Sequence, residues 1–200
     1  MNIAKTKKLT FQEYLDFCET SQERYELVRG ELQLMTPPVW LHYRIAKFLE
    51  RAFDDEITRR QLPWEAHRDP GQQTEENTSR LPDVAIVPIE AVEESIDRPA
   101  ILTTAAIVIV EVVSDSTALQ DYREKVTEYQ NKGIREYWIV DPDPFGAAKY
   151  IGSPKRPTVS VYSLVDGVYQ VKRFQGSNCV ISLTFPHLQL TAEQILNAGR

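Results

Sequence analysis

Ala105-Ala-Ile-Val-Ile-Val-Glu-Val-Val113 is the most hydrophobic stretch of the chain. It predicts a strand over Ile107 to Val113 that is apolar on both faces, and so central in a sheet covered on both sides. Glu111 stands near its end. An unpaired buried carboxylate costs several kcal/mol or more unless something compensates it. A divalent cation is the leading candidate, and a salt bridge at the strand end is the alternative.

Downstream, Ser114-Asp-Ser-Thr117 supplies several N-cap choices. Leu119, Tyr122, Val126 and Tyr129 then recur at helical spacing as an inner face, and Gly133 reads as the C-cap. Glu136 to Asp141 is the next strand, with Tyr137 and Trp138 as core residues. Upstream, Thr10 and Glu13 form a capping-box pattern that opens a short helix to about Cys18. Arg24 to Met35 alternates around Gly30 as two short strands. After Pro37-Pro38, the positions Val39, Leu41, Ile45, Phe48, Leu49, Ala52, Phe53 and Ile57 predict an amphipathic helix over about 39–60. Pro63 stops it. Trp64 to Gln72 reads as a strand, Gln73 to Arg80 as a polar loop, Asp83 to Val87 as a strand and Glu90 to Thr103 as a polar connection. Beyond Pro142 the pattern is of alternating strands: Lys149 to Ile151, Thr158 to Leu164, Val168 to Phe174 and Val180 to Leu183. Asp166-Gly167 is a hairpin turn signal, and Thr191 with Gln194 caps a last short helix. The expectation is an α/β (mixed α+β) fold in one domain, 1–200. Its αβββαβ core spans about 38–142, with 1–37 and 143–200 as decorations.

The 200 residues are 42% hydrophobic and 26% charged, as in ordinary globular proteins, with a net charge of -6. That balance disfavours tight nonspecific nucleic-acid binding, although Lys47, Arg51, Arg59 and Arg60 gather on one segment, as do Lys155, Arg156, Lys172 and Arg173. Cys18 and Cys179 are far apart without metal-ligand spacing, which fits a reducing cytoplasm. The opening Met1-Asn-Ile-Ala-Lys-Thr-Lys-Lys8 has no apolar core of a secretory signal, and no run is long enough to span a membrane.

The residues that carry chemistry gather around Glu111. Asp83 opens one predicted strand and Glu111 closes the next, so two carboxylates at neighbouring strand ends could hold Mg²⁺, with the Val112 carbonyl as a further oxygen. Asp83 also suits a turn residue bonding local amides. Asp121, Lys125 and Tyr129, at i, i+4 and i+8, share one side of the following helix. Lys125 either reaches the carboxylate pair, where an ammonium would orient water and stabilise charge, or forms a surface ion pair with Asp121. Glu26 is a candidate third acid. His42 would contact a phosphate or a metal-bound water, or else is a packed structural residue.

Pro82-Asp83, Glu111-Val-Val-Ser-Asp-Ser-Thr117, Asp121, Lys125, Tyr129, Gly133 and Glu136-Tyr-Trp-Ile-Val-Asp-Pro142 together resemble the Uma family, restriction-endonuclease-like proteins of the PD-(D/E)XK nuclease superfamily. Tyr25-Glu26-Leu-Val-Arg-Gly30-Glu31, Pro37-Pro38 and His42 resemble that family's entry pattern. The resemblance covers nearly the whole chain. It implies a restriction-endonuclease-like fold and DNA phosphodiester cleavage dependent on Mg²⁺ or Mn²⁺, with Asp83 and Glu111 as ligands. The superfamily's lysine lies two residues after the glutamate, where this chain has Val113; the resemblance suggests Lys125 as a migrated replacement. A homodimer joined through the carboxy-terminal strands would suit cleavage of both strands. The competing expectation is a nuclease-fold protein without catalysis, a binding or assembly module, favoured if Glu111 pairs with an arginine such as Arg80 or Arg135.

Overall fold

The computed structural model describes residues 8–200; residues 1–7, most of the segment read for a secretory signal, lie outside the described part. Helix α1 (Phe11–Thr20) opens on the expected capping box: Thr10 accepts from the Glu13 N–H, and the Glu13 carboxylate accepts from the Thr10 N–H. β1 (Tyr25–Val28) and β2 (Glu31–Leu34) pair antiparallel across a turn in which Arg29 and Gly30 both take positive φ. α2 (Trp40–Arg60) ends on the left-handed Gln61. β3 (Trp64–Arg68), β4 (Gly71–Glu75), β5 (Thr78–Arg80) and β6 (Val84–Pro88) follow, then α3 (Ile89–Glu93), β7 (Ile101–Leu102) and β8 (Val108–Val112). A helix then begins, passes through a π-helical turn at Gln120–Glu124, and continues as α4 (Lys125–Lys132), capped by left-handed Gly133. β9 (Glu136–Asp141), α5 (Ala148–Ile151), β10 (Thr158–Val165), β11 (Val168–Phe174) and α6 (Ala192–Leu196) complete the order.

The main sheet has six strands in the order β11-β10-β9-β8-β6-β3, and the second has five in the order β2-β1-β5-β4-β7. β3, β6 and β8 run as an antiparallel meander, whereas β9 lies parallel to β8 after the α4 crossover. With α2 in front, this is the expected αβββαβ order. β8 is buried along its whole length because α2 covers one face and α4 the other. Ile45, Leu49, Phe53 and Ile57 of α2 join a core with Val84, Val108, Val110 and Trp138. Tyr122, Tyr129 and Ile134 join Ala85, Ile109, Tyr137 and Ile139 on the opposite face. The second sheet meets α4 through polar groups: Glu128 accepts from Thr74 of β4 and Arg80 of β5.

Several expectations need correction. Trp64 to Gln72 is two strands in two different sheets, because Asp69 adopts φ 62° and Pro70 follows it. Gln73 to Arg80 is a hairpin with a largely buried stem, not a loop; Thr74 and Arg80 donate to Glu128, and the adjoining Gln72 donates to the Thr104 carbonyl and accepts from the Ala106 N–H. Glu90 to Thr103 holds a short helix and strand. Leu119 is 64% exposed instead of inward, since the π-helical turn inserts an extra residue and rotates the preceding turn. Residues 148–151 form one helical turn, with Tyr150 stacked on Tyr122. Val180 to Leu183 is not a strand: the buried Glu136 carboxylate accepts the Leu183 and Thr184 N–H groups that a neighbouring strand would have taken. The hairpin at Asp166-Gly167 is as expected, both residues left-handed as a type I′ turn requires.

Candidate active site

Asp83 immediately precedes β6, and the β6–β8 pairing matches Val84 with Val110. One further step of this antiparallel register sets Asp83 opposite Glu111, on the sheet face covered by α4. Asp83 is held from two sides. Its Oδ2 accepts the Val112 N–H at 2.6 Å, and its Oδ1 lies 2.6 Å from His42 Nε2 in the first turn of α2. His42 therefore touches a carboxylate of the cluster. Burial works against its protonated form, but the hydrogen bond and charge of Asp83 outweigh this and raise its pKa. For Val112, whose carbonyl was expected to add an oxygen, the contact with Asp83 is made by its N–H.

Glu111 is 4% exposed and does not pair with an arginine. Its Oε1 lies 2.9 Å from Lys125 Nζ and accepts a hydrogen bond from the Tyr129 hydroxyl at 2.8 Å. Lys125 also pairs with Asp121 Oδ1 at 3.0 Å. Both are almost fully buried, so the i,i+4 pair is not the surface ion pair the spacing alone allowed. Asp121 depends on that charge, since neither of its oxygens has a well-aligned hydrogen bond among the described residues.

One ammonium thus serves two buried carboxylates, and the titration follows from that count. Burial pushes the Glu111 carboxyl well above the usual range; Lys125 opposes this, and Asp121, Asp83 and Glu26 reinforce it. Asp121 is raised by burial too, against the pull of Lys125. Burial also penalises the Lys125 ammonium, but Asp121, Glu111 and Glu26 outweigh that penalty and hold it well above its usual value. A one-to-one salt bridge in water would lower the acid and raise the base. Here both rise: burial outweighs Lys125 at the two acids, the neighbouring carboxylates add to it, and those same carboxylates raise the base.

Glu26, the candidate third acid, is bound to Arg80 at 3.0 Å and to the Leu81 N–H at 3.1 Å. Burial favours its neutral form, yet Lys125 and Arg80 hold its carboxyl below the usual range. Arg80 is fully buried, pairs with Glu128 through two nitrogens at 2.6 and 2.8 Å, and lies 3.5 Å from Glu124. Arg80 and Glu128 lock β5 to α4, and thereby fix the helix that carries Lys125. The sequence conceals this pair because Arg80 falls in a segment that reads as loop; the available signal is Glu124 and Glu128, one turn apart on the helix that carries Lys125. Among the described residues, no three His, Cys, Asp or Glu side chains already converge at ligand distance.

The family model described as Uma2, "Putative restriction endonuclease", matches residues 11–193. The chain belongs to this family. Among solved structures, a "putative nuclease belonging to DUF820" from Anabaena variabilis ATCC 29413 superposes with a TM-score of 0.74 at 16% identity, covering 96% of this chain and 99% of the other. That likeness shows a common restriction-endonuclease-like fold. The type IIG restriction endonuclease BpuSI aligns over 82% of this chain and 17% of its own, at 12% identity and a TM-score of 0.38, too low to carry an argument. Among curated proteins, none matches the chain. Within the Uma2 family frame, the buried carboxylates, Lys125 and His42 lie inside the matched span. No helix of the described residues is long and apolar enough to cross a membrane.

Proposed function

We propose that this chain is an endonuclease that hydrolyses DNA phosphodiester bonds with Mg²⁺ or Mn²⁺ held by Asp83 and Glu111. The observation that supports it best is the surplus of buried carboxylate around Lys125, where Glu111 and Asp121 share one ammonium. A divalent cation has the charge to offset that surplus. The donors fit one: all are hard oxygens, and Mg²⁺ takes one or two protein carboxylates and completes its shell with water and phosphate. When bound, such an ion polarises the scissile phosphate and lowers the pKa of a water.

The chain's own residues orient and charge the site. His42 and the Val112 N–H fix both oxygens of Asp83, and Tyr129 fixes Glu111. Lys125 supplies the positive charge that the buried Val113 cannot, and stabilises negative charge accumulating on the phosphoryl oxygens. Asp121 and Glu26 hold Lys125 in its charged form. The proposal extends to a cytoplasmic protein of one domain, acting as a homodimer on DNA that it engages weakly. β11 is an edge strand, and Val168, Ile181 and Leu183 nearby in sequence are all more than half exposed.

A second reading, a non-catalytic binding or assembly module, is favoured by one observation: Lys125 is already engaged by two carboxylates. Plasmid incubation with Mn²⁺ separates the two. Hydrolysis predicts nicking by the wild type and none by Glu111→Ala. Equal nicking by both, or none by the wild type, refutes it.

A further inference from the structure

Segment 47–60 looks uniformly basic in sequence, but its cations are not equivalent. Arg59 is tied to Glu56 at 2.7 Å, and Arg60 donates to the Thr184 carbonyl. Lys47 and Arg51 have no carboxylate partner among the described residues, and Arg44 spends one N–H on the Gly199 carbonyl while its charge stays unpaired. Trp40, Arg44, Lys47 and Arg51 fall at i, i+4, i+7 and i+11 of α2. At 3.6 residues per turn this is one straight stripe, about 16 Å long at 1.5 Å per residue. On a chain of net charge -6 it is a concentration of free positive charge.

Trp40, at the head of the stripe, is 79% exposed. Tyr43 meets it edge-on, with ring centroids 6.0 Å apart, and the Arg68 guanidinium lies 4.7 Å over the Tyr43 ring. Arg68 is the cross-strand partner of Val84, the residue after Asp83, and His42 contacts Asp83 itself. The first turn of α2 is thus fastened to the candidate site by His42, and the same turn carries the solvated indole of Trp40 on another side of the helix. An exposed tryptophan beside a cationic track has the make-up of a single-strand nucleic-acid site: phosphates follow the cations and a base stacks on the ring. A paired base in a duplex offers no free face to Trp40, so the ring discriminates where the cations cannot.

We infer that α2 binds an unpaired stretch of DNA strand, with phosphates along Arg44, Lys47 and Arg51 and a base stacked on Trp40, and delivers it to Asp83 and Glu111. This rests on the nuclease reading for the site to which the strand is delivered. At the roughly 3.4 Å per nucleotide of one strand of a duplex the stripe spans four or five nucleotides, and a more extended unpaired strand places fewer along it.

Anisotropy of a labelled oligothymidylate of about 15 nucleotides, titrated with the full chain in EDTA, tests the binding without cleavage. The wild type should bind it more tightly than a duplex of the same length, with a log–log salt slope near -2 for three phosphate contacts. Trp40→Ala should weaken single-strand binding roughly tenfold and leave duplex binding unchanged, with partial rescue by Trp40→Phe. Lys47→Glu with Arg51→Glu should weaken both. Because Trp40 and Arg51 are exposed and Lys47 is half-buried without a carboxylate partner among the described residues, circular dichroism should find every variant folded. Single-strand affinity within about twofold of wild type for Trp40→Ala, far below the loss of 1 kcal/mol or more expected per stacked base, overturns the inference. So does a dimer that Trp40→Ala converts to monomer with DNA binding intact, which would make this face a contact between copies. Single-strand binding that requires Trp40, in a protein that never nicks DNA with Mn²⁺, would sink the cleavage reading and leave this one standing.

Discussion

Replacing Lys125 with methionine removes the cation but keeps most of the side-chain volume. Lys125 is 3% exposed, between Glu111 at 2.9 Å and Asp121 at 3.0 Å. Removing one partner from a buried ion pair costs about 3–5 kcal/mol, because the other charge is stranded. Here two carboxylates are stranded, so the upper part of that range applies while both are ionised. Protonation relieves the cost, which sets the pH trend. Glu111 and Asp121 already have folded pKa values above their unfolded 4.5 and 3.8. Such groups bind more protons when folded, so their contribution is fully present below the unfolded values and is lost as pH rises through the folded ones. Without Lys125 those folded values climb further. Urea unfolding of wild type and Lys125→Met should therefore give a stability difference of about 4 kcal/mol at alkaline pH that shrinks to about 2 near pH 5. The wild-type ammonium is not the source of the trend, since a base with a raised pKa loses its contribution only above its unfolded 10.5. A difference below about 1 kcal/mol, or one that does not change with pH, would refute the buried triad.

Arg80→Met should destabilise by about 3–5 kcal/mol in the same unfolding assay, since Glu26 and Glu128 lose the guanidinium that joins β5 to α4. Gly146→Ala should cost about 1–3 kcal/mol, because a Cβ there would meet Tyr122 Cε2 at 2.8 Å and Asp141 Oδ2 at 3.0 Å; an unchanged melting temperature would contradict it. Light scattering should report a dimer, and Val168→Glu with Leu183→Glu should convert it to monomer if the carboxy-terminal strands form the interface.

The core order was legible because its signals are local. The run through β8 is apolar on both faces, Gly133 must turn left-handed, and Pro63 ends α2. The second sheet was hidden because it inverts the usual pattern. Gln72, Thr74 and Arg80 are polar and buried, and their side chains are satisfied by partners tens of residues away. Periodicity carries no record of such pairings. Val180 to Leu183 failed differently: the alternation is real, with Val180 and Ser182 buried and Ile181 and Leu183 exposed, but the pairing partner is the Glu136 side chain. At the candidate site, Asp83, Glu111 and Lys125 were nameable from spacing. The roles of His42 and Glu26 as partners of Asp83 and Arg80 were not, because each contact spans more than 40 residues.

If Asp83 and Glu111 hold one divalent cation beside Lys125, as proposed, metal binding depends on both carboxylates. A calorimetric titration of the full chain with Mn²⁺ tests it most directly. The wild type should show a single site that disappears in Glu111→Ala and in Asp83→Ala, with both variants folded. Undiminished Mn²⁺ binding in either variant, or no binding by the wild type, would contradict it.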